Sequence, residues 1–218
     1  MTLAIFDLDN TLIGGDSDHL WGEFLVANNL VDVGEFKKTN DQFYEDYKAG
    51  QLDIVAYQEF SLAPLTQYSS EQLEQMHRQF MQQVITPIRL TKAEQLIQQH
   101  RQQGHTLLII TATNLFVTGP IAEALGIEHI LATEGEIIDG RYSGKMQGTP
   151  CFQAGKITRL EAWLKESNED MAGAYFYSDS HNDLPLLKLV DHPVAVDADE
   201  TLREHAKQQG WPIISLRD

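Results

Sequence analysis

Five short apolar runs, each stopping abruptly at polar residues, constrain this chain more than any other feature: residues 3–6, 106–110, 174–177, 194–196 and 213–216. A strand with one wet face would alternate in polarity, so continuous runs of this length read as strands buried on both faces. Helical patterns lie between them. Leu96, Ile97 and His100 share one face of 91–103, with Gln98, Gln99, Gln102 and Gln103 mostly opposite and Gly104 as the stop. Ile157, Leu160 and Leu164 form a second stripe. Strands alternating with helices imply right-handed crossovers and therefore an α/β fold with a doubly wound parallel sheet. Any ligand is then expected at the carboxyl ends of the strands.

One interval breaks that rhythm. About 95 residues separate Thr11 from the run at 106–110, far more than one crossover helix requires. The segment 14–85 carries helical patterns at Leu20/Phe24, Tyr44/Tyr47 and Leu73/Met76/Phe80, and no strand pattern. It is expected to be an inserted helical domain, leaving at Gly14-Gly15 and returning near Thr86-Pro87. Residues 1–13 and 86–218 would then form the core domain. A hairpin is predicted over 130–143, with Asp139-Gly140 as its turn.

Charge narrows the partners. Lys and Arg total 16 against 32 Asp and Glu, a net charge of −16, which repels phosphate backbones and anionic lipid. Nucleic acid and membranes are thus excluded as expected partners, and small cationic metabolites are favoured. The single cysteine, Cys151, allows no internal disulfide and no cysteine-based zinc site, and is expected to be a buried small residue. The N-terminal apolar run is broken by an acid at position 7, too early for a signal peptide or a spanning helix. A cytoplasmic location is the expectation, as a monomer or a homodimer.

The chemistry-bearing residues sit where the strands end. Asp7-Leu8-Asp9-Asn10-Thr11 directly follows the first run. Two carboxylates two positions apart repel unless a proton or a cation lies between them, and a hard oxygen-seeking ion such as Mg²⁺ is the natural neutraliser. A chance D-x-D-x-T is expected only about 0.03 times in a chain of this length. Thr111 closes the second run with a hydroxyl able to donate to a phosphate oxygen. Lys156 follows Gly155 at the start of a helix, where its charge and the helix N-terminus would both face an anion, although such lysines are usually solvated. Ser178-Asp179-Ser180-His181-Asn182-Asp183 follows the third run, a cluster equally compatible with loop and helix-cap chemistry.

In this order the motifs resemble those of the haloacid dehalogenase-like (HAD) phosphatases, over nearly the whole chain and most closely the phosphoserine phosphatase-type branch, subfamily IB. The family's D-x-D-x-[TS] falls on Asp7, Asp9 and Thr11, its strand-closing Thr or Ser on Thr111 and its helix-opening lysine on Lys156. The fourth motif falls on Ser178, Asp179, Asn182 and Asp183, with Ser178 in place of the common glycine. The resemblance implies a Rossmann-like core with an inserted helical C1-type cap. It also implies Asp7 as nucleophile and Asp9 as general acid and base, with Mg²⁺ held by Asp7, the Asp9 carbonyl and Asp179. Thr111, Lys156 and Asn182 would bind the phosphoryl oxygens. Thr11 and Asp183 would support them, Asp183 either by pairing with Lys156 or by orienting metal-bound water.

The same resemblance bears on the substrate. Segment 14–85 holds twelve acids against four bases, half of the net charge of the chain. Asp16 matches the acid that holds the substrate amine in phosphoserine phosphatases, whereas the cap arginine that holds the substrate carboxylate aligns with Ser61. A serine does not replace a bidentate guanidinium. The expected substrate is therefore a small phosphorylated cationic metabolite without a carboxylate, with Asp16, Asp18 and Tyr44 as its candidate contacts. The stretches 14–21 and 40–47 look similar to the histidinol-phosphate phosphatases of this branch, and L-histidinol phosphate carries an amine and an imidazole. Other readings stand beside these. Asp16 also suits a helix cap, Trp21, Tyr44 and Tyr47 suit helix packing, and His19 and His181 are expected to face solvent. Phosphoserine or another amino-alcohol phosphate is the alternative substrate. A phospho-accepting regulator without turnover is the alternative class, against which Asp9 speaks.

Overall fold

The computed structural model describes residues 2–217. Its strands are β1 (Leu3–Phe6), β2 (Thr106–Asn114), β3 (His129–Ile138), β4 (Arg141–Gln147), β5 (Tyr175–Ser178), β6 (His192–Val196) and β7 (Ile213–Ile214). They form one sheet in the order β4-β3-β2-β1-β5-β6-β7, parallel except for the antiparallel β3–β4 pair. All four residues of β1 are fully buried, which explains their unbroken apolarity. Alternate residues of the central strands feed two apolar clusters. Ala4, Phe6, Leu107 and Ile109 belong to one, Leu3, Ile5, Leu108 and Ile110 to the other.

Between β1 and the next core helix lie α1 (Ser17–Ala27), α2 (Val33–Lys48), α3 (Ile54–Leu62) and α4 (Ser70–Phe80). Asp16, Asp32, Asp53 and Ser69 each accept a backbone N–H of the helix that follows. Part of the acidity of this segment is thus helix capping. The chain leaves and returns side by side, since Gly14 N donates to Ile88 O at 2.7 Å and Ile13 bridges Arg89. Trp21 is buried among Phe24, His77, Phe80 and Phe116, so this ring packs the apolar core. The remaining helices are α5 (Thr91–Gln102), α6 (Leu115–Ala124), α7 (Ala154–Ser167), the single turn α8 (Leu184–Leu187) and α9 (Glu200–Gln209). Among the described residues no helix is long and apolar enough to cross a membrane.

Four strands differ in their bounds from the sequence expectation, β5 by one residue at each end and β6 by starting at His192. β2 runs on to Asn114, beyond the apolar stretch, because Asn114 still pairs with Thr133 after a register shift. β7 is shorter than expected, with only Ile213 and Ile214 in the ladder. The hairpin turn is where it was read. Ile138 pairs with Arg141 across Asp139 (φ 51°) and Gly140 (φ 76°), the two left-handed residues that a type I′ turn demands.

Candidate active site

β1 lies between β2 and β5, and the helix that leads into β2, α5, packs on one face of the sheet while the helix that leads into β5, α7, packs on the other, so a crevice opens at the carboxyl end of β1. Asp7 is the first residue beyond that end, fixed by its N–H to Tyr177 O at 2.9 Å. Lys156 Nζ reaches it from α7. The ammonium lies 2.8 Å from Asp7 Oδ1 and 2.7 Å from Asp183 Oδ1, and all three residues are at most 5% exposed. Burial alone would lower the lysine pKa, but Asp183 and Asp7 more than reverse this and keep it protonated. The solvated lysine that commonly opens a helix is here a buried charge with two partners.

The start of α7 is built to deliver that side chain. Gln153 takes a left-handed φ of 47°, and a Cβ on Gly155 would lie 2.0 Å from Pro150 O, so the backbones meet there without room for a side chain. Gly155→Ala is expected to displace the first turn of α7. Thermal melts should show a Tm lower by several degrees, and turnover should fall with it because Lys156 shifts.

Thr11 ties the first and fourth motifs together. Its hydroxyl lies 3.5 Å from Asp7 Oδ2 and 3.3 Å from Asp179 Oδ1, and it accepts from Asp179 N at 3.1 Å. Burial raises the Asp7 pKa to about 7. Lys156 pulls it down, and Asp183 and Asp9 push it up. Asp179 is raised well above the usual carboxylate range by burial, then by Asp7 and Asp183. One ammonium therefore faces three carboxyls, and the crevice carries uncompensated negative charge.

Asp9 is held differently. Its Oδ1 accepts from Ser17 N at 2.6 Å and its Oδ2 from Thr113 Oγ1 at 2.8 Å. Burial and the Asp16 charge raise it to about 6, against the pull of those two bonds. Held by two neutral donors, Asp9 is placed to give and take a proton, whereas the neighbouring Asp7 is held by the Lys156 ammonium.

Above these residues lies a cleft of about 500 Å³, lined by Asp7, Asp9, Thr111 and Thr113 from the core and by Asp16, Asp18, His19, Tyr44, Tyr47 and Tyr57 among others. Asp16 both lines the cleft and caps α1, accepting from His19 N at 2.9 Å, and burial raises its pKa. Asp18 is 4% exposed, and burial followed by the Asp16 charge lifts it to about 8. Its Oδ1 accepts from Ser61 Oγ at 2.9 Å, so the serine at the expected arginine position is bonded to a carboxyl. Thr111 lies buried at the floor and accepts from Thr113 N at 3.2 Å. Tyr44 stacks on His19 at 4.5 Å.

The sequence profile of the haloacid dehalogenase-like hydrolases matches residues 4–188, most of the chain. The chain belongs to that family. It is 48% identical over 219 residues to a protein of Neisseria meningitidis serogroup C named histidinol-phosphatase, with 99% of each chain covered. It is 30% identical to phosphoserine phosphatase SerB1 of Mycobacterium tuberculosis, over 98% of this chain and 70% of that one. A crystal structure of a Bordetella pertussis protein of unknown function superposes with a TM-score of 0.93 at 40% identity, covering 99% and 100% of the two chains. A substrate-bound phosphoserine phosphatase superposes at 0.72 with 17% identity, over 99% and 93%, a likeness of fold.

Set beside the family motifs, the structure brings Asp7, Thr11, Lys156, Asp179 and Asp183 together, with Asp9 and Thr111 beside them. Asp183 pairs directly with Lys156. Asn182, next to Asp183, accepts at Oδ1 from Gln153 at 3.0 Å and donates through Nδ2 to Tyr47 O at 3.3 Å, on the C-terminal end of α2. The two histidines expected to face solvent are only partly exposed. His19 lies in the cleft wall, and His181 bonds Asp199 through its N and Nδ1, with Nε2 turned towards Gly50. Cys151 is fully buried, and burial pushes its thiol up to about 12, an inert residue as read. The sequence reading gave Thr113 and Asn114 no role, and Ser178 only a place in the fourth motif. Thr113 is two positions beyond Thr111 on the same strand, a spacing that places both on one face. Ser178, the departure from glycine, donates its hydroxyl to Asp183 Oδ2 at 2.7 Å.

Proposed function

We propose that this hydrolase is a Mg²⁺-dependent phosphomonoesterase acting through an aspartyl-phosphate, with L-histidinol phosphate as its substrate and residues 14–85 as a cap over the site. One observation carries the reading. Among the described residues, the cleft is lined by four aspartates and no lysine or arginine, while Lys156 is consumed behind it by Asp7 and Asp183. A dianionic phosphate enters such a place only with a cation, and the rest of the substrate must itself be cationic. The Neisseria relative supports the substrate named, and the missing guanidinium at Ser61 argues against one bearing a carboxylate.

The donor set suits the metal. Hard carboxylate oxygens of Asp7 and Asp179, with the Asp9 carbonyl, would hold Mg²⁺, and their excess charge is what a divalent cation cancels. When bound, the ion neutralises the phosphoryl oxygens and so lets two anions approach. Asp7 Oδ attacks phosphorus as the ester P–O bond breaks, and Asp9 gives its proton to the leaving alkoxide. Asp9 then takes a proton from water as that water attacks phosphorus. The Asp7–phosphorus bond breaks and inorganic phosphate leaves. Thr111 and Lys156 compensate charge on the transferring group.

The test is phosphate release from L-histidinol phosphate, L-phosphoserine and a sugar phosphate, with and without chelator. The expected result is a preference of at least 100-fold in kcat/KM for histidinol phosphate, about 2.7 kcal/mol of transition-state binding, abolished by EDTA and restored by Mg²⁺. A flat profile or a preference for phosphoserine overturns the substrate, and activity insensitive to chelator overturns the metal.

A further inference from the structure

Asp18 is built in a way that capping and charge do not explain. It sits in the first turn of α1, beyond the cap residue Asp16, and lines the cleft while being 4% exposed. Its Oδ1 is held from two sides, by Ser61 Oγ of α3 at 2.9 Å and by Asn114 Nδ2 at the end of β2 at 3.4 Å. Asn114 cannot turn away, because its own Oδ1 caps α6 by accepting from Val117 N at 3.2 Å, and its amide also donates to Ser61 Oγ at 3.2 Å. Three elements thus fix one oxygen of the carboxyl. The other, Oδ2, is buried and takes no hydrogen bond of ordinary geometry among the described residues, although the Tyr57 hydroxyl interacts with the same carboxyl. A buried carboxyl with an unsatisfied oxygen is costly, and such costs persist where a ligand relieves them.

The surroundings say which ligand. Phe43, Leu52, Ile54 and Tyr57 line the same cleft, an apolar and aromatic setting suited to a flat ring. Asp9 meets the start of α1 through Ser17 N at 2.6 Å, Asp16 caps that helix, and Asp18 stands two residues further along it against Ser61 and Asn114. Histidinol phosphate has its groups in the same order, phosphate, amine, then imidazole.

Resting on the substrate reading above, we propose that Asp18 is a specificity-determining residue whose Oδ2 accepts the N–H of the substrate's imidazole ring, with Ser61 and Asn114 aiming it. An imidazole offers that N–H in either charge state, whereas a phenyl ring or an alkyl end offers none. Sites built to bond one polar group reject analogues that lack it, because the protein group is then left unpaired.

The experiment compares L-histidinol phosphate with L-phenylalaninol phosphate, which keeps the amine and the phosphate and replaces only the ring. The wild-type enzyme is expected to prefer histidinol phosphate by about 100-fold in kcat/KM, carried mainly by KM. In Asp18→Asn that ratio should fall at least tenfold, and L-histidinol, expected to raise the Tm of the wild type, should not raise that of the variant. The Tm of the free variant should be equal to or above the wild-type value, since a buried unpaired carboxyl is removed. Should that variant not fold, Ser61→Ala, which loosens Oδ1, is expected to lower the ratio by severalfold. A wild-type ratio near one, or a ratio unchanged in the variant, overturns the role of Asp18. The phosphoserine comparison stands apart from this, because it tests the substrate reading and not the ring contact.

Discussion

Asp7→Asn is expected to lower kcat by at least about 10⁴-fold without loss of fold, because the amide keeps the shape but cannot form the acyl-phosphate. The structural cost should be small. Asparagine Oδ1 can still accept from Lys156, whose second partner Asp183 remains at 2.7 Å. Removing one of three buried carboxyls also relieves Asp179, which the Asp7 charge now raises. The Tm should therefore stay at or above the wild-type value while phosphate release disappears. Rapid acid quench with labelled substrate should trap phosphoprotein in the wild type and none in the variant. Activity within 100-fold of wild type would remove Asp7 from the role of nucleophile. Asp9→Asn is expected to lose about 10²- to 10⁴-fold, the usual range for a positioned acid. Its persistence beside a dead Asp7 variant would overturn the division of roles.

The fold was legible where a local pattern determined it. Buried strands announce themselves as apolar runs, and Asp139-Gly140 names its turn through backbone preference alone. The acids of the site were legible for a related reason. Asp7 and Asp179 stand immediately beyond buried strands, so sequence position and spatial position coincide at the sheet edge. What stayed hidden depends on elements that meet only in three dimensions. Asp18 was named from the sequence as a substrate contact, but its burial was not legible there, since as one of twelve acids in segment 14–85 it reads like Asp32 or Asp53, which cap helices. Its burial follows from Ser61 and Asn114, 43 and 96 residues away in the chain. The bond from Asn182 to Tyr47 O, where α2 ends, likewise joins positions 135 residues apart. Local periodicity carries no record of such meetings.

The buried lysine couples stability to activity, and the two can be separated. Lys156→Met is expected to leave Asp7 and Asp183 as unpaired buried carboxyls, a change that typically costs about 3–5 kcal/mol. For a chain of this size each kcal/mol lowers Tm by about 2–4 °C, so the melt should fall by roughly 6–20 °C. Turnover should be lost as well, because the ammonium beside Asp7 no longer offsets its share of the phosphoryl charge. Adding Asp183→Asn removes one of the stranded carboxyls, together with its hydrogen bond from Ser178 reduced to a neutral one. The double variant should regain a substantial part of the lost Tm and none of the lost kcat. A single variant melting within 2 °C of wild type would mean that the ion pair is not formed as described. A double variant that recovers turnover along with its Tm would mean that Lys156 serves only the fold, and that charge compensation in the reaction comes entirely from elsewhere.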